Sequence, residues 1–299
     1  MSCSYLANPR ETRAVLERHG FSLKHRLGQN FLVNDDVIRR ILELAELSEQ
    51  DVVYEIGPGI GTLTVAMLPR ARKVVAVEAD RTLPPVLAET CARDGEKLVL
   101  VEGDALRVGK DDLVAAAGQA PTKLVSNLPY QVAATVILGT LQGMPSVQRL
   151  VVMVQAEVAD RIAARPGSKA YGAYTAKLAL YGQVTGRFEV GPGNFMPPPH
   201  VDSAVVRIDR TNALCEQPDQ VAAVIDAAFA QRRKTIRNSM AAKGYDKTAL
   251  DAAFAASGID PRVRAETLGV EDFVRLGEAL QMVAQVPSQI HKTHNPSVV

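Results

Sequence analysis

The sequence predicts an α/β fold, a mostly parallel sheet with helices on both faces, followed by a small all-helical C-terminal domain. Three observations carry this. Short apolar runs at Val52–Ile56, Val74–Glu78, Leu98–Glu102, Lys123–Asn127 and Leu150–Val154 alternate with longer stretches of helical period. A glycine-rich stretch, Gly57–Gly61, directly follows the first of those runs. After about residue 210 the strand-like runs stop and only helical periods remain. Near-continuous apolar strands separated by helices are buried on both faces, which is the signature of a parallel sheet.

Taken in order, residues 1–34 read as a basic, irregular arm, with Arg10, Arg13, Arg18, Lys24 and Arg26 against only Glu11 and Glu17. Asp35-Asp36 suit a helix start, and the period runs to about Leu47. Helices are expected at Thr62–Pro69, Leu83–Arg93, Val132–Leu141 and Tyr171–Tyr181. Val184–Glu189 and Ala204–Ile208 read as late strands close enough to pair as an antiparallel edge. Beyond them, Val221–Ala230, Thr235–Lys243, Lys247–Ser257 and Val270–Ala284 have helical period. The expected organisation is an arm (1–34), a sheet domain (35–210), a helical domain (211–286) and a polar, disordered tail (287–299).

Composition narrows the function. The net charge of +1 excludes a polycation, so any nucleic-acid surface must come from local clustering. Cys3, Cys91 and Cys215 are few and far apart, which supports neither a disulfide framework nor a zinc site and fits a reducing compartment. No metal is expected. The N-terminus lacks an apolar leader, and no apolar run approaches the roughly 18–20 residues that span a bilayer. The expectation is a soluble, cytoplasmic monomer without a membrane partner.

The stretch Val53-Tyr54-Glu55-Ile56-Gly57-Pro58-Gly59-Ile60-Gly61-Thr62-Leu63 reads as strand, glycine turn and helix start. Glycines there let the backbone turn sharply and approach a ligand. Glu78 ends the next strand, where a carboxylate can accept both hydroxyls of a ribose. Asp104 follows the third strand and can accept from an adenine amino group. Nicotinamide-dependent dehydrogenases space their glycines G-x-G-x-x-G. Here the spacing is Gly57, Gly59, Gly61 with Pro58 inside the turn, a form suited to a cofactor without a pyrophosphate. Together with Glu55 before the turn, the set points to S-adenosylmethionine (SAM), released as S-adenosylhomocysteine.

Leu124-Val125-Ser126-Asn127-Leu128-Pro129-Tyr130 ends the fourth strand, at the crevice where doubly wound sheets bind ligands. Pro129 keeps Leu128 extended and delays the helix to about Gln131. An isolated N-x-P-Y is a helix cap with a packed tyrosine. Behind a SAM turn it has a chemical reading. The exocyclic nitrogen of adenine is a poor nucleophile because its lone pair is delocalised into the ring. The Asn127 side-chain carbonyl and the Leu128 backbone carbonyl can accept its hydrogens and localise that pair. Tyr130 can stack on the base. Positioning alone can supply about 7–11 kcal/mol of such an in-line transfer, and no strong base is required. Phe195 precedes the rigid Pro197-Pro198-Pro199 run and reads equally as a second stacking partner or as a hydrophobic anchor.

These motifs together closely resemble the ribosomal RNA adenine dimethyltransferase family, in its bacterial small-subunit (16S) form. The resemblance begins at Arg26-Leu27-Gly28-Gln29-Asn30-Phe31-Leu32 and continues through Glu55–Gly61, Asn127–Tyr130 and Phe195–Ser203. Its last motif is the basic stretch Arg232-Arg233-Lys234-Thr235-Ile236-Arg237-Asn238, and essentially residues 20–270 are covered. It implies a Rossmann-like SAM-dependent methyltransferase sheet with a small helical domain. It implies SAM contacts at Asn30, Leu32, Gly57, Gly59, Glu78, Asp104 and Asn127, and a catalytic loop of Asn127, Leu128, Pro129 and Tyr130. Phe195 becomes a stacking partner for the base. The implied reaction is dimethylation of N6 on two adjacent adenosines in a loop of 16S rRNA, with a role in small-subunit assembly. His200 stands where the resemblance leads one to expect lysine.

Arg232, Arg233, Lys234 and Arg237 read as the start of one basic helix that contacts phosphates, with Arg207 and Arg210 just upstream. A solvated charged face is the plainer alternative. Three other functions compete: a large-subunit rRNA methyltransferase with the same loop, an assembly checkpoint that works by binding, and a dehydrogenase.

Overall fold

The computed structural model describes residues 2–21 and 30–285. They divide into two compact units, one formed by the chain up to Ala163 with Tyr181–Thr211, the other by Ala164–Leu180 with the chain from Asn212. The strands of the first unit are β1 (Phe31–Leu32), β2 (Val52–Ile56), β3 (Lys73–Glu78), β4 (Leu98–Glu102), β5 (Lys123–Asn127), β6 (Arg149–Gln155), β7 (Gly182–Val190), β8 (Phe195–Met196) and β9 (Ser203–Arg210). Seven of them form one sheet in the order β4-β3-β2-β5-β6-β9-β7. β2 to β6 run parallel, and β9 and β7 close the sheet antiparallel. Every residue of β2 is buried, whereas the edge strand β7 alternates between covered and open positions. The late strands therefore do pair antiparallel, with β9 inserted between β6 and β7.

Helices α1 (Pro9–Arg18), α2 (Asp35–Ala45), α3 (Thr62–Met67), α4 (Pro84–Thr90), α5 (Lys110–Ala117), α6 (Ala133–Gly143) and α7 (Ala156–Ile162) complete this unit. Two differ from the expectation at the N-terminus. The arm is not irregular: Asn8 caps α1 by accepting the Arg10 N–H, Pro9 opens its first turn, and Val15 and Leu16 are buried. They join Leu6 in a cluster with Ile60, Leu83 and Val86. The cap of α2 is Asn34 rather than Asp35-Asp36. Asp35 is occupied elsewhere, its carboxylate accepting the N–H groups of Cys3 and Ser4 at 2.9 Å. The short helices α5 and α7 had no expectation; α5 buries only Leu113 and Ala117, too few positions to show a period.

The second unit is helical: α8 (Ala173–Ala179), α9 (Pro218–Phe229), α10 (Ile236–Ala242), α11 (Lys247–Ser257) and α12 (Val270–Gln285). The Phe229 ring lies 5.9 Å from that of Tyr171 and 5.8 Å from that of Phe273. The Tyr171 hydroxyl donates to the Leu268 carbonyl at 2.8 Å, and Lys177 pairs with Asp226. Ala164–Leu180 thus packs with the helical unit, although a boundary drawn near residue 210 assigns it to the sheet domain. The polar tail from Pro287 lies outside the described residues, as do positions 26–29 of the Arg26–Leu32 motif.

Candidate active site

The site follows from how β2 and β5 separate. Their ladder holds at Val53↔Lys123 and Tyr54↔Leu124 and then stops. Beyond it the buried Ser126 hydroxyl takes over, donating to the Ile56 carbonyl at 2.7 Å and accepting the Ile56 N–H at 3.3 Å. The strands are thereby held at their C-terminal ends while Gly57 and Asn127 diverge. This is the crevice at which the connections leave in opposite directions, β3 on one side and β6 on the other.

A cavity of about 500 Å³ fills the crevice. Its floor is the glycine turn. Gly57, Gly59 and Gly61 have φ of +63°, +62° and +89°, a region that L side chains rarely adopt. A Cβ on Gly57 would meet Pro129 at 3.4 Å, and one on Gly59 would meet Phe31 at 3.4 Å. At Gly61 a Cβ would press on Thr90, Cys91 and Leu87 at 3.1–3.2 Å, so that glycine serves helix packing rather than the cavity. Thr62 lines the cavity, and its buried hydroxyl has no hydrogen-bond partner among the described residues.

Three acidic residues, Glu55, Glu78 and Asp80, line this space. Glu78 accepts the Asp80 N–H at 2.9 Å and the Gly59 N–H at 3.3 Å, which fixes its head. Burial raises its pKa, against the lowering effect of those N–H donors. Glu55 is 2 % exposed and accepts the Thr64 hydroxyl at 2.7 Å. Burial, with a smaller contribution from Glu78, pushes its pKa up to about 8.

The opposite wall is Asn127, Leu128, Pro129 and Tyr130. Leu128 is buried, and its N–H donates to the Met153 carbonyl at 3.1 Å. The Leu128 carbonyl has no backbone partner among the described residues. Asn127 donates its Nδ2 to the Asn30 carbonyl at 3.4 Å, which leaves Oδ1 for a ligand. The half-buried Tyr130 is held through its hydroxyl, 2.8 Å from Ser203 Oγ. Asn30 and Leu32 complete the lining. Asn30, Leu32, Gly57, Gly59, Glu78, Asn127, Leu128, Pro129 and Tyr130, all singled out in the sequence, therefore share one cavity.

That chemistry has known relatives. The family model for ribosomal RNA adenine dimethylases matches residues 20–282. The chain belongs to that family. A ribosomal RNA small subunit methyltransferase A of Thermobifida fusca is 43% identical over 279 residues, covering 91% of this chain and 96% of the relative. The protein of the same name from Streptomyces coelicolor is 41% identical over 280 residues, with 91% and 96% covered. Among solved structures, a dimethyladenosine transferase of Plasmodium falciparum superposes with a TM-score of 0.73 at 24% identity, covering 85% of this chain and 98% of that one, and shares the fold. The 23S rRNA methyltransferase ErmE superposes with a TM-score of 0.64 at 25% identity, covering 84% of this chain and all of that one.

Three sequence expectations fall elsewhere in this member of the dimethylase family. Asp104 does not line the cavity: its carboxylate turns back to accept the Leu106 N–H at 2.9 Å, a local Asx turn. Phe195 is 3 % exposed and packs in the same apolar cluster as Leu32 and Val190, the contact the anchor reading expects, and it is not part of the cavity lining. The basic residues do not share one helix. Arg232, Arg233 and Lys234 lie in the turn before α10, and only Arg237 is within it. Arg237 is paired with Asp251 at 2.7 Å, and Arg232 donates to the Lys169 carbonyl at 3.0 Å. Arg233 and Lys234 are exposed and have no ion pair among the described residues. Arg207 is taken up by Glu46 and Asp209, and Arg210 by the carbonyls of Leu141, Met144 and Val147. Sequence reading missed Thr62 and Ser203. Thr62 directly follows the glycine turn, which could have drawn notice; nothing local marks Ser203 as the partner of Tyr130.

No helix among the described residues is long and apolar enough to cross a membrane. They also contain no cluster of three His, Cys, Asp or Glu side chains arranged to hold a metal.

Proposed function

We propose that this protein transfers methyl groups from SAM to N6 of two adjacent adenosines in 16S rRNA. The observation that carries the reading is that Asn127–Tyr130 lines the same cavity as the glycine turn and Glu78. Family membership and relatives named for the small subunit support the substrate.

The cavity suits the cofactor. Gly57 and Gly59 leave the space that a Cβ would fill, the Thr62 hydroxyl lacks a partner among the described residues, and Glu78 retains lone pairs for ribose hydroxyls. Bound SAM supplies a methyl group already activated on a sulfonium sulfur. The remaining work belongs to the chain. Asn127 Oδ1 and the Leu128 carbonyl accept the two hydrogens of the adenine amino group and turn its lone pair out of conjugation. Tyr130 supports the base face. After the first transfer one N–H remains, and either acceptor can hold it for the second. The alkylated nitrogen is acidic enough to lose its proton to water, so no histidine base is needed. The target base must leave its stack to reach this loop, which favours a hairpin loop or single strand. Within the basic stretch, Arg233 and Lys234 are the cations open to phosphate contact among the described residues.

The test is methyl transfer from labelled SAM to purified ribosomal subunits that lack the modification. Labelling of small-subunit RNA with large-subunit RNA left unlabelled is expected. Labelling of the large subunit alone overturns the substrate assignment.

A further inference from the structure

The cavity wall and the loop that carries Phe195 are connected through one side-chain pair. β1 and β8 form a sheet of their own, pairing Phe31 with Met196 and Leu32 with Phe195. A two-stranded ladder this short is not stable by itself. Two features hold it. Leu32 and Phe195 are buried in one apolar cluster. At its end the Val33 N–H donates to the Asn194 carbonyl at 2.8 Å, and Asn34 Nδ2 donates to Asn194 Oδ1 at 2.8 Å. Asn34 uses both ends of its amide, since its Oδ1 accepts the Asp36 N–H at 2.9 Å and caps α2. Asn194 does the same, its Nδ2 donating to the Gly191 carbonyl at 2.8 Å and fixing the turn that leads into Phe195. A continuous chain of bonds thus runs from the cavity-lining Asn30–Leu32, through Asn34 and Asn194, to Gly191 at the root of the 195–203 loop.

We propose that Asn34 and Asn194 are positioning residues that couple occupancy of the cofactor cavity to the order of the Gly191–Met196 segment, and through it to the loop that ends at Ser203, the partner of Tyr130. The inference rests on the cofactor reading above. A ligand seated against Asn30–Leu32 fixes β1, and fixing β1 removes freedom from β8, because the two are held in one register. The cost of ordering that segment is then met when the cofactor binds. The second ligand binds to a segment already ordered, and linkage makes the effect mutual. The device needs both amides. α2 needs only an acceptor at position 34, which separates the two roles. Asn34→Ser keeps the cap, since serine is an equally good N-cap, but cannot reach Asn194.

Amide hydrogen exchange on the full chain with S-adenosylhomocysteine as the probe reads this directly. In the wild type the ligand is expected to slow exchange in the glycine turn, in residues 30–34, and at least fivefold in residues 191–196. In Asn34→Ser and Asn194→Ala, protection of the glycine turn is expected to persist while protection at 191–196 falls to less than twofold. The thermal midpoint of each variant without ligand checks that it is folded. Undiminished protection at 191–196 in both folded variants, or its absence in the wild type, overturns the coupling. Failure of the ligand to protect the glycine turn at all has a different signature and overturns the cofactor reading, with the coupling that depends on it.

Discussion

The Tyr130 hydroxyl lies 2.8 Å from Ser203 Oγ, and Ser203 is completely buried at the start of β9. One bond thus joins the loop after β5 to the strand that follows the proline run, and it sets the plane of the ring proposed to carry the base. Ser203→Ala is expected to lower kcat for RNA methylation by about two- to tenfold, the worth of one hydrogen bond. Tyr130→Phe keeps the ring and breaks the same bond, so it should cost the same. The double variant should be no worse than either single one. Steady-state methylation with small subunits measures all three, and additive losses would show that the two groups act separately.

The buried Glu55 makes stability depend on pH. Its carboxyl, ordinarily near 4.5, is pushed up to about 8 by burial, so between those values the folded state holds a proton that the unfolded chain has lost. Its contribution is therefore complete below about pH 4.5 and is lost as the pH rises through about 8. The expected slope is about 1.4 kcal/mol per pH unit over that window, without ligand. Glu55→Gln retains an acceptor for Thr64 and should flatten the slope, becoming more stable than the wild type at pH 8. Denaturant unfolding between pH 5 and 8 checks this; parallel profiles for the two proteins would contradict it.

Much of the sheet was legible because its central strands are buried on both faces. Val52–Ile56 and Lys123–Asn127 announce themselves as apolar runs whose ends match the structure, as do those of the half-buried edge strand Leu98–Glu102. The glycine turn was legible because its three glycines all take positive φ, which leaves few other residue choices. What escaped was tertiary. The α1 helix read as a basic arm because its charges outnumber its buried side chains, and only Asn8-Pro9 marked its start. Asp104 carries the right chemistry at the end of a strand, yet its nearest donor is the N–H two residues on. Phe195 could stack or anchor, and its pairing with Leu32, 163 positions away in sequence, is invisible to any local pattern. Arg207 and Arg210 looked like phosphate contacts until their partners on distant segments came into view.

The pairing of the basic residues leads to a sharper expectation for RNA. Arg237 and Arg232 are held by protein groups, whereas Arg233 and Lys234 are open. Arg233→Ala with Lys234→Ala should weaken RNA binding and make its logarithmic salt dependence shallower by about 1.5–2, while the affinity for SAM stays unchanged. Filter binding across a salt series together with cofactor titration separates the two. Equal loss of both affinities would contradict a phosphate-contact role.

The central claim is that this chain dimethylates adjacent adenosines of small-subunit RNA through the Asn127–Tyr130 loop. Dimethylated adenine blocks reverse transcriptase, so primer extension on 16S rRNA reads the product at nucleotide resolution. In cells lacking the protein, a pair of adjacent stops is expected to disappear. The wild-type gene should restore it and an Asn127→Ala gene should not. Persistence of both stops without the protein, or their full restoration by Asn127→Ala, would contradict the account.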